Sequence, residues 1–149
     1  MQHQDYMKLA LEQALIAQDQ EEIPIGSVLV VDNKVVAKGF NQTITLKDPT
    51  AHAEIQCIRQ ACHQLGNHRL PGATLYITLE PCIMCYGAII QARINHVVFG
   101  ASDPKSGSFS KGNLTQILGL NHRPEFTDNI MEPACRELLQ SFFAQKRHS

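Results

Sequence analysis

Apolar and polar positions along the chain change period several times, and those changes predict the elements. Met7, Leu11, Ala14 and Leu15 fall on one face of a first helix. An apolar run from Ile25 to Val31 predicts a strand, Asp32-Asn33 a turn, and Lys34–Phe40 a second strand completing a hairpin. Asn41 to Lys47 reads as a loop. Asp48-Pro49 has the form of a helix start, and the apolar spacing continues to about Leu65, where Gly66-Asn67 ends it. Pro71-Gly72 is a turn, and Leu75, Ile77 and Leu79 alternate with Tyr76 and Thr78 in a third strand. Pro81 opens a helix to about Gln91, and Asn95–Gly100 is a fourth strand. Asp103–Gly112 is a loop, Leu114–Leu118 a short helix, and Glu125–Ile130 a weak fifth strand. A last helix from Glu132 carries Cys135, Leu138, Leu139, Phe142 and Phe143 on one face. Strands alternating with helices predict an α/β domain with one sheet between helices.

One helix breaks its own pattern. Glu54, Ile58, Ala61 and Leu65 share a face, so a carboxylate projects from an apolar stripe. Burying an unpaired carboxylate is costly unless it is protonated or paired. Pairing with a core base is the plain reading. An acid poised by burial for proton transfer fits better, because His52 stands two residues away. Side chains two apart on a helix diverge by about 200°, so His52 and Glu54 converge only if the helix end faces the site.

Cys82 and Cys85 supply the rest. Their spacing at a helix start lets both sulfurs meet one ion, and free amides there favour thiolates. His52, Cys82 and Cys85 make three zinc ligands with a fourth position open, as in catalytic sites. A redox pair or half of a structural zinc site is the alternative for a lone C-x-x-C. Cys57, Cys62 and Cys135 include no second C-x-x-C and read as small core residues. The H-x-E and P-C-x-x-C phrases resemble those of zinc-dependent nucleobase deaminases, with Glu54 as the acid that moves protons.

Composition narrows the picture. The 149 residues suit one domain, 1–149, and the 44% hydrophobic content suits a globular protein. No apolar run approaches the roughly 20 residues that span a bilayer. Met1-Gln2-His3-Gln4-Asp5 does not have the form of a signal peptide, so cytoplasm is the default and no membrane is expected. Five cysteines, an odd number, argue against a disulfide framework. Net charge is −1, which excludes a globally basic nucleic-acid binder. Residues through Ala92 hold six Lys/Arg against nine Asp/Glu, and those from Arg93 hold seven against five. On charge alone, Lys146-Arg147 reads as a solvated helix end.

Longer phrases extend the resemblance. Asp48-Pro49-Thr50-Ala51-His52-Ala53-Glu54-Ile55, Leu79-Glu80-Pro81-Cys82-Ile83-Met84-Cys85-Tyr86-Gly87-Ala88-Ile89, Arg93-Ile94 and Val97-Val98-Phe99-Gly100 are similar to the bacterial tRNA adenosine deaminase family. So are Asp103, Lys105-Ser106-Gly107, Asn121-His122-Arg123, and Leu138-Leu139 through Phe142-Phe143 to Lys146-Arg147. The resemblance implies a three-layer cytidine-deaminase-like fold with a mixed five-stranded sheet, a homodimer, and one Zn2+ per subunit on His52, Cys82 and Cys85. It implies Glu54 as proton shuttle for converting a wobble adenosine to inosine, with a tRNA anticodon stem-loop as partner and no DNA. It implies substrate contacts at Asn41, Ala53, Pro81, Asp103, Phe142, Phe143, Lys146 and Arg147. Without it, Asn41 reads as a turn residue and Phe142 and Phe143 as core. The stretch Ser108-Phe109-Ser110-Lys111-Gly112-Asn113 is bulkier and more basic than the family's Gly-Ser phrase, and little chain follows Arg147. Two other readings stand beside this one: a deaminase of a free base or nucleotide of guanine or cytosine type, and a non-catalytic zinc subunit that binds RNA.

Overall fold

The computed structural model describes residues 1–108 and 120–147. The expected Leu114–Leu118 helix and nearly all of the Ser108–Asn113 stretch lie outside the described residues. The elements run α1 (His3–Asp19), β1 (Gly26–Val31), β2 (Lys34–Phe40), α2 (Ala53–Leu65), β3 (Thr74–Leu79), α3 (Ile83–Ala92), β4 (His96–Ala101), β5 (Glu125–Thr127) and α4 (Glu132–Arg147). The strands form one mixed sheet in the order β2-β1-β3-β4-β5. β1 is antiparallel to β2 and β3, whereas β3, β4 and β5 are parallel. Asp32 and Asn33 take positive φ in the β1–β2 turn, the conformation a tight hairpin demands.

Adjacent strand residues feed opposite faces, which explains the continuous apolar runs of the central strands. Leu29, Ile77 and Phe99 pack under α2 and α3 with Cys57, Ile58, Ala61 and Ile89. Their neighbours Val28, Tyr76 and Val98 pack under α1 and α4 with Tyr6, Met7, Ala10 and Cys135. The three-layer α/β/α expectation holds. No helix among the described residues is long and apolar enough to cross a membrane.

Three expectations shift. The buried face of α1 is Tyr6, Met7, Ala10, Ala14 and Ala17, while Leu15 is exposed. The cause is Gly26: a Cβ there would strike the Ala10 carbonyl and the Ala14 amide nitrogen, so only an alanine face fits that close approach. The helix expected from Asp48 begins at Ala53. Asp48 Oδ1 instead accepts the Thr50 amide at 2.8 Å and the Thr50 hydroxyl at 2.7 Å, closing a turn of its own. The last strand stops at Thr127. Gly66, in the left-handed conformation at φ 65°, ends α2 as expected.

Candidate active site

Two helix beginnings meet at one point. His52 and Cys82 are the N-cap residues of α2 and α3, both with extended backbone, and Cys85 lies in the first turn of α3. The late start of α2 resolves the 200° problem, because His52 stands outside the helix and turns back toward its end. His52 Nδ1 is 3.7 Å from Cys82 Sγ and 3.5 Å from Cys85 Sγ. Ligands at ordinary zinc–nitrogen and zinc–sulfur distances in a tetrahedron stand about 3.6 Å apart. The three donor atoms therefore fit one metal ion. They are the one such cluster of His, Cys, Asp or Glu among the described residues.

Their proton affinities fit the same purpose. The Cys85 thiol donates to Cys82, and that bond and the His52 ring hold Cys82 down to about 4 despite partial burial. Cys85 keeps its proton, raised by the same bond and by burial. His52 is raised by its bond to Cys82. One thiolate already stands among three converging donors, and a cation would displace the remaining protons.

Glu54, in the first turn of α2, is only 3% exposed. Burial pushes its carboxyl from 4.5 up to about 7, against the smaller opposing pulls of its own amide and the His52 ring. Neither ion pair found among the described residues includes it. The paired-core reading therefore gives way to a carboxyl poised to exchange protons near neutrality. Gly39 on β2 makes the placement possible: a Cβ there would strike the Ala53 carbonyl oxygen and the Cys57 amide nitrogen, so α2 sits directly on the strand.

His52, Glu54 and Cys82 open into a cleft of about 420 Å³ that Asn41, Asp103 and Phe143 also line. Asn41 is buried at the end of β2, its amide bonded to the Ile25 carbonyl at 3.1 Å. Asp103 already serves its own loop: Oδ1 accepts the Lys105 amide at 3.0 Å and Oδ2 the Ser106 hydroxyl at 2.9 Å. Phe143 is 47% exposed.

The other expected contacts fall elsewhere. Phe142 is buried, stacked on Phe143 with ring centroids 5.6 Å apart, with Lys146 Nζ 5.5 Å from its ring. Its helical phase points it at the core, so it supports Phe143 rather than lining the cleft. Ala53 and Pro81 are buried beside the ligands and also lie outside the cleft lining. The Pro81 carbonyl is occupied by the Ser108 amide and hydroxyl. Lys146 and Arg147 are exposed on the last turn of α4, away from the cleft wall. His122 bonds the Ile94 carbonyl and is a structural residue. Cys57 and Cys135 are pushed up to about 12 by burial and behave as core thiols.

Two buried carboxylates escaped the sequence reading. Glu80 Oε1 accepts the Asp103 amide at 2.5 Å, and its carboxyl packs where a side chain on Gly107 would sit. Glu22 bonds the loop after β2. The signal that exposed Glu54, an acid set among apolar residues, was present at Leu79-Glu80-Pro81 and Glu22-Ile23-Pro24-Ile25 as well.

A His/Cys/Cys triad whose donors fit one metal ion and a buried acid, set at the rim of a mixed sheet between helices, describe a deaminase domain. Residues 1–147 match the family model of MafB19-like deaminases. The tRNA-specific adenosine deaminase of Agrobacterium fabrum is 47% identical over 143 residues, covering 95% of this chain and 94% of that protein. A structure solved in studies of A-to-I editing by tRNA:A34 deaminases at the wobble position of transfer RNA is 46% identical, with a TM-score of 0.88, covering 91% and 99% of the two chains. The guanine deaminase of Bacillus subtilis is more distant, at 31% identity and a TM-score of 0.67 over 99% of this chain and 95% of that one. The chain belongs to the family of the tRNA-specific adenosine deaminases.

Proposed function

We propose that this protein is a zinc-dependent hydrolase that converts the wobble adenosine, position 34 of a tRNA anticodon, to inosine and releases ammonia. The observation that carries the reading is the buried Glu54 carboxyl facing the His52–Cys82–Cys85 triad in a cleft of nucleoside size. The identity to tRNA-specific adenosine deaminases, higher than to a guanine deaminase, supports the substrate.

Zinc, one per subunit on His52, Cys82 and Cys85, would supply a water acidic enough to attack near neutral pH. Glu54 would take a proton from the attacking water as the water oxygen adds to C6 and deliver that proton to ring N1. It then takes the second proton to the amino nitrogen as the C6–N bond breaks and ammonia leaves. A carboxyl titrating near 7 suits both directions of transfer. Asn41 and Asp103 flank the base and ribose, and Phe143 faces the loop from which the base is turned out. Lys146 and Arg147 lie one turn further along α4 and meet phosphates. Residues 1–149 act as one domain in the cytoplasm. The chain pairs as a homodimer: α3 is apolar on nearly all sides, yet Ile83 is 70% exposed on it, a face that a second copy would cover.

The test is inosine formation by zinc-loaded protein on an anticodon stem-loop with a wobble adenosine, beside free adenine, adenosine, guanine, cytosine and cytidine. Inosine in the stem-loop alone is expected. Ammonia from a free base or nucleoside, with the stem-loop untouched, overturns the substrate and keeps the chemistry.

A further inference from the structure

Glu22 is fully buried, yet none of the proposed chemistry uses it. It sits between α1 and β1, next to Ile23 on the cleft wall. Its carboxylate reaches across to the loop after β2. Oε1 accepts the Ile44 amide at 3.2 Å, and Oε2 accepts the Thr45 amide at 2.7 Å and the Thr45 hydroxyl at 2.6 Å. Burial alone would raise this carboxyl, but the Thr45 and Ile44 donors outweigh it and hold the pKa below 4.5.

The loop it grips is a single turn. Leu46 donates to the Gln42 carbonyl at 3.0 Å, Lys47 to Ile44 at 3.2 Å, and Asp48 to Thr43 at 3.0 Å. The opening amides of such a turn have no carbonyl behind them. Glu22 supplies those acceptors from a distant part of the chain, so every amide from Ile44 to Asp48 is bonded. The turn begins at the cleft residues Asn41 and Thr43 and leaves Ile44 71% exposed beside them. The gripped turn therefore presents an exposed isoleucine, its backbone fixed, next to the cleft-lining Thr43.

We infer that Glu22 is a positioning residue: it fixes the 42–47 turn so that Ile44 packs against the unstacked base of a nucleotide flanking the target adenosine. This rests on the stem-loop reading above. A loop base splayed from its stack offers a flat apolar face, which an immobile branched side chain at the rim can cover.

The experiment uses zinc-loaded full-length protein, with E22A, T45V and I44A variants, on the anticodon stem-loop. Wild-type turnover first establishes the substrate: no turnover of the stem-loop sinks the earlier reading and this inference with it, whereas with turnover in hand the variants bear on this inference alone. In E22A, hydrogen exchange at the Ile44 and Thr45 amides rises at least about tenfold while α2 and the sheet keep their protection. KM for the stem-loop rises about tenfold in E22A and I44A, with kcat within about twofold and zinc content unchanged. T45V removes one hydroxyl and raises KM less, which keeps the test valid if E22A folds poorly. Unchanged KM in I44A, or faster exchange without any change in KM, overturns the inference.

Discussion

Replacing Glu54 by Gln separates what the carboxyl does for the reaction from what it costs the fold. The variant keeps shape and volume but cannot carry a proton. Because Glu54 is not among the three converging ligands, metal content should match the wild type. Turnover should fall by about 10²–10⁴-fold, the range general acid–base catalysis contributes. Stability should move the other way. In metal-free protein the folded chain binds the Glu54 proton more tightly than the unfolded chain, with the pKa raised from 4.5 to about 7. The folded state therefore loses stability as pH climbs from about 4.5 through about 7, and the loss is complete above that. At about 1.4 kcal/mol per tenfold change in proton affinity, the penalty approaches roughly 3 kcal/mol at pH 8. E54Q escapes it, so its advantage over wild type should be small at pH 4.5, grow across that window and then level off. Urea melts of both chelated proteins from pH 4.5 to 8 measure the difference, and single-turnover inosine formation measures the chemistry. A fully active E54Q refutes the shuttle, and a stability difference that does not change with pH refutes the account of burial.

Other outcomes follow from the same geometry. C82S or C85S should lose metal, because each removes one of three soft donors, and metal analysis after dialysis checks this; full retention would mean the ligands are misassigned. K146A with R147A should weaken stem-loop binding and lower its salt slope by about 1–2, with metal content intact; an unchanged slope would place phosphates elsewhere. G39A should destabilise the protein by about 1–3 kcal/mol and loosen the metal. The colliding atoms belong to the α2 backbone and cannot swing aside, so an unchanged melt and metal affinity would refute the close approach.

The converging His52, Cys82 and Cys85 and the buried Glu54 were legible in the sequence because each is a short-range anomaly: two cysteines at a helix start, a carboxylate in an apolar stripe. The central strands were legible because their apolar runs have no helical period. Positions set by long-range fit were not. The Asp48-Pro49 phrase looks like a helix start, and only the closed Asp48–Thr50 turn shows that the helix waits until Ala53. The face of α1 follows from Gly26 on another element, not from its leucines. Phe142 and Phe143 read alike in sequence, and the angle at which α4 meets the sheet sends one to the core and the other to the cleft. Glu22 and Glu80 act on segments about twenty residues away, beyond the reach of a local pattern.

The metal triad has a consequence for how the protein comes into being. His52 follows β2, while Cys82 and Cys85 follow β3, and β1 lies between those strands, bonded to both. A segment holding only the three ligands lacks the strand that brings them together. On the proposed ligand set, high affinity for an ion would require β3 docked against the β1–β2 hairpin. Loading of the proposed site would then report a chain that has already wrapped around its own first hairpin.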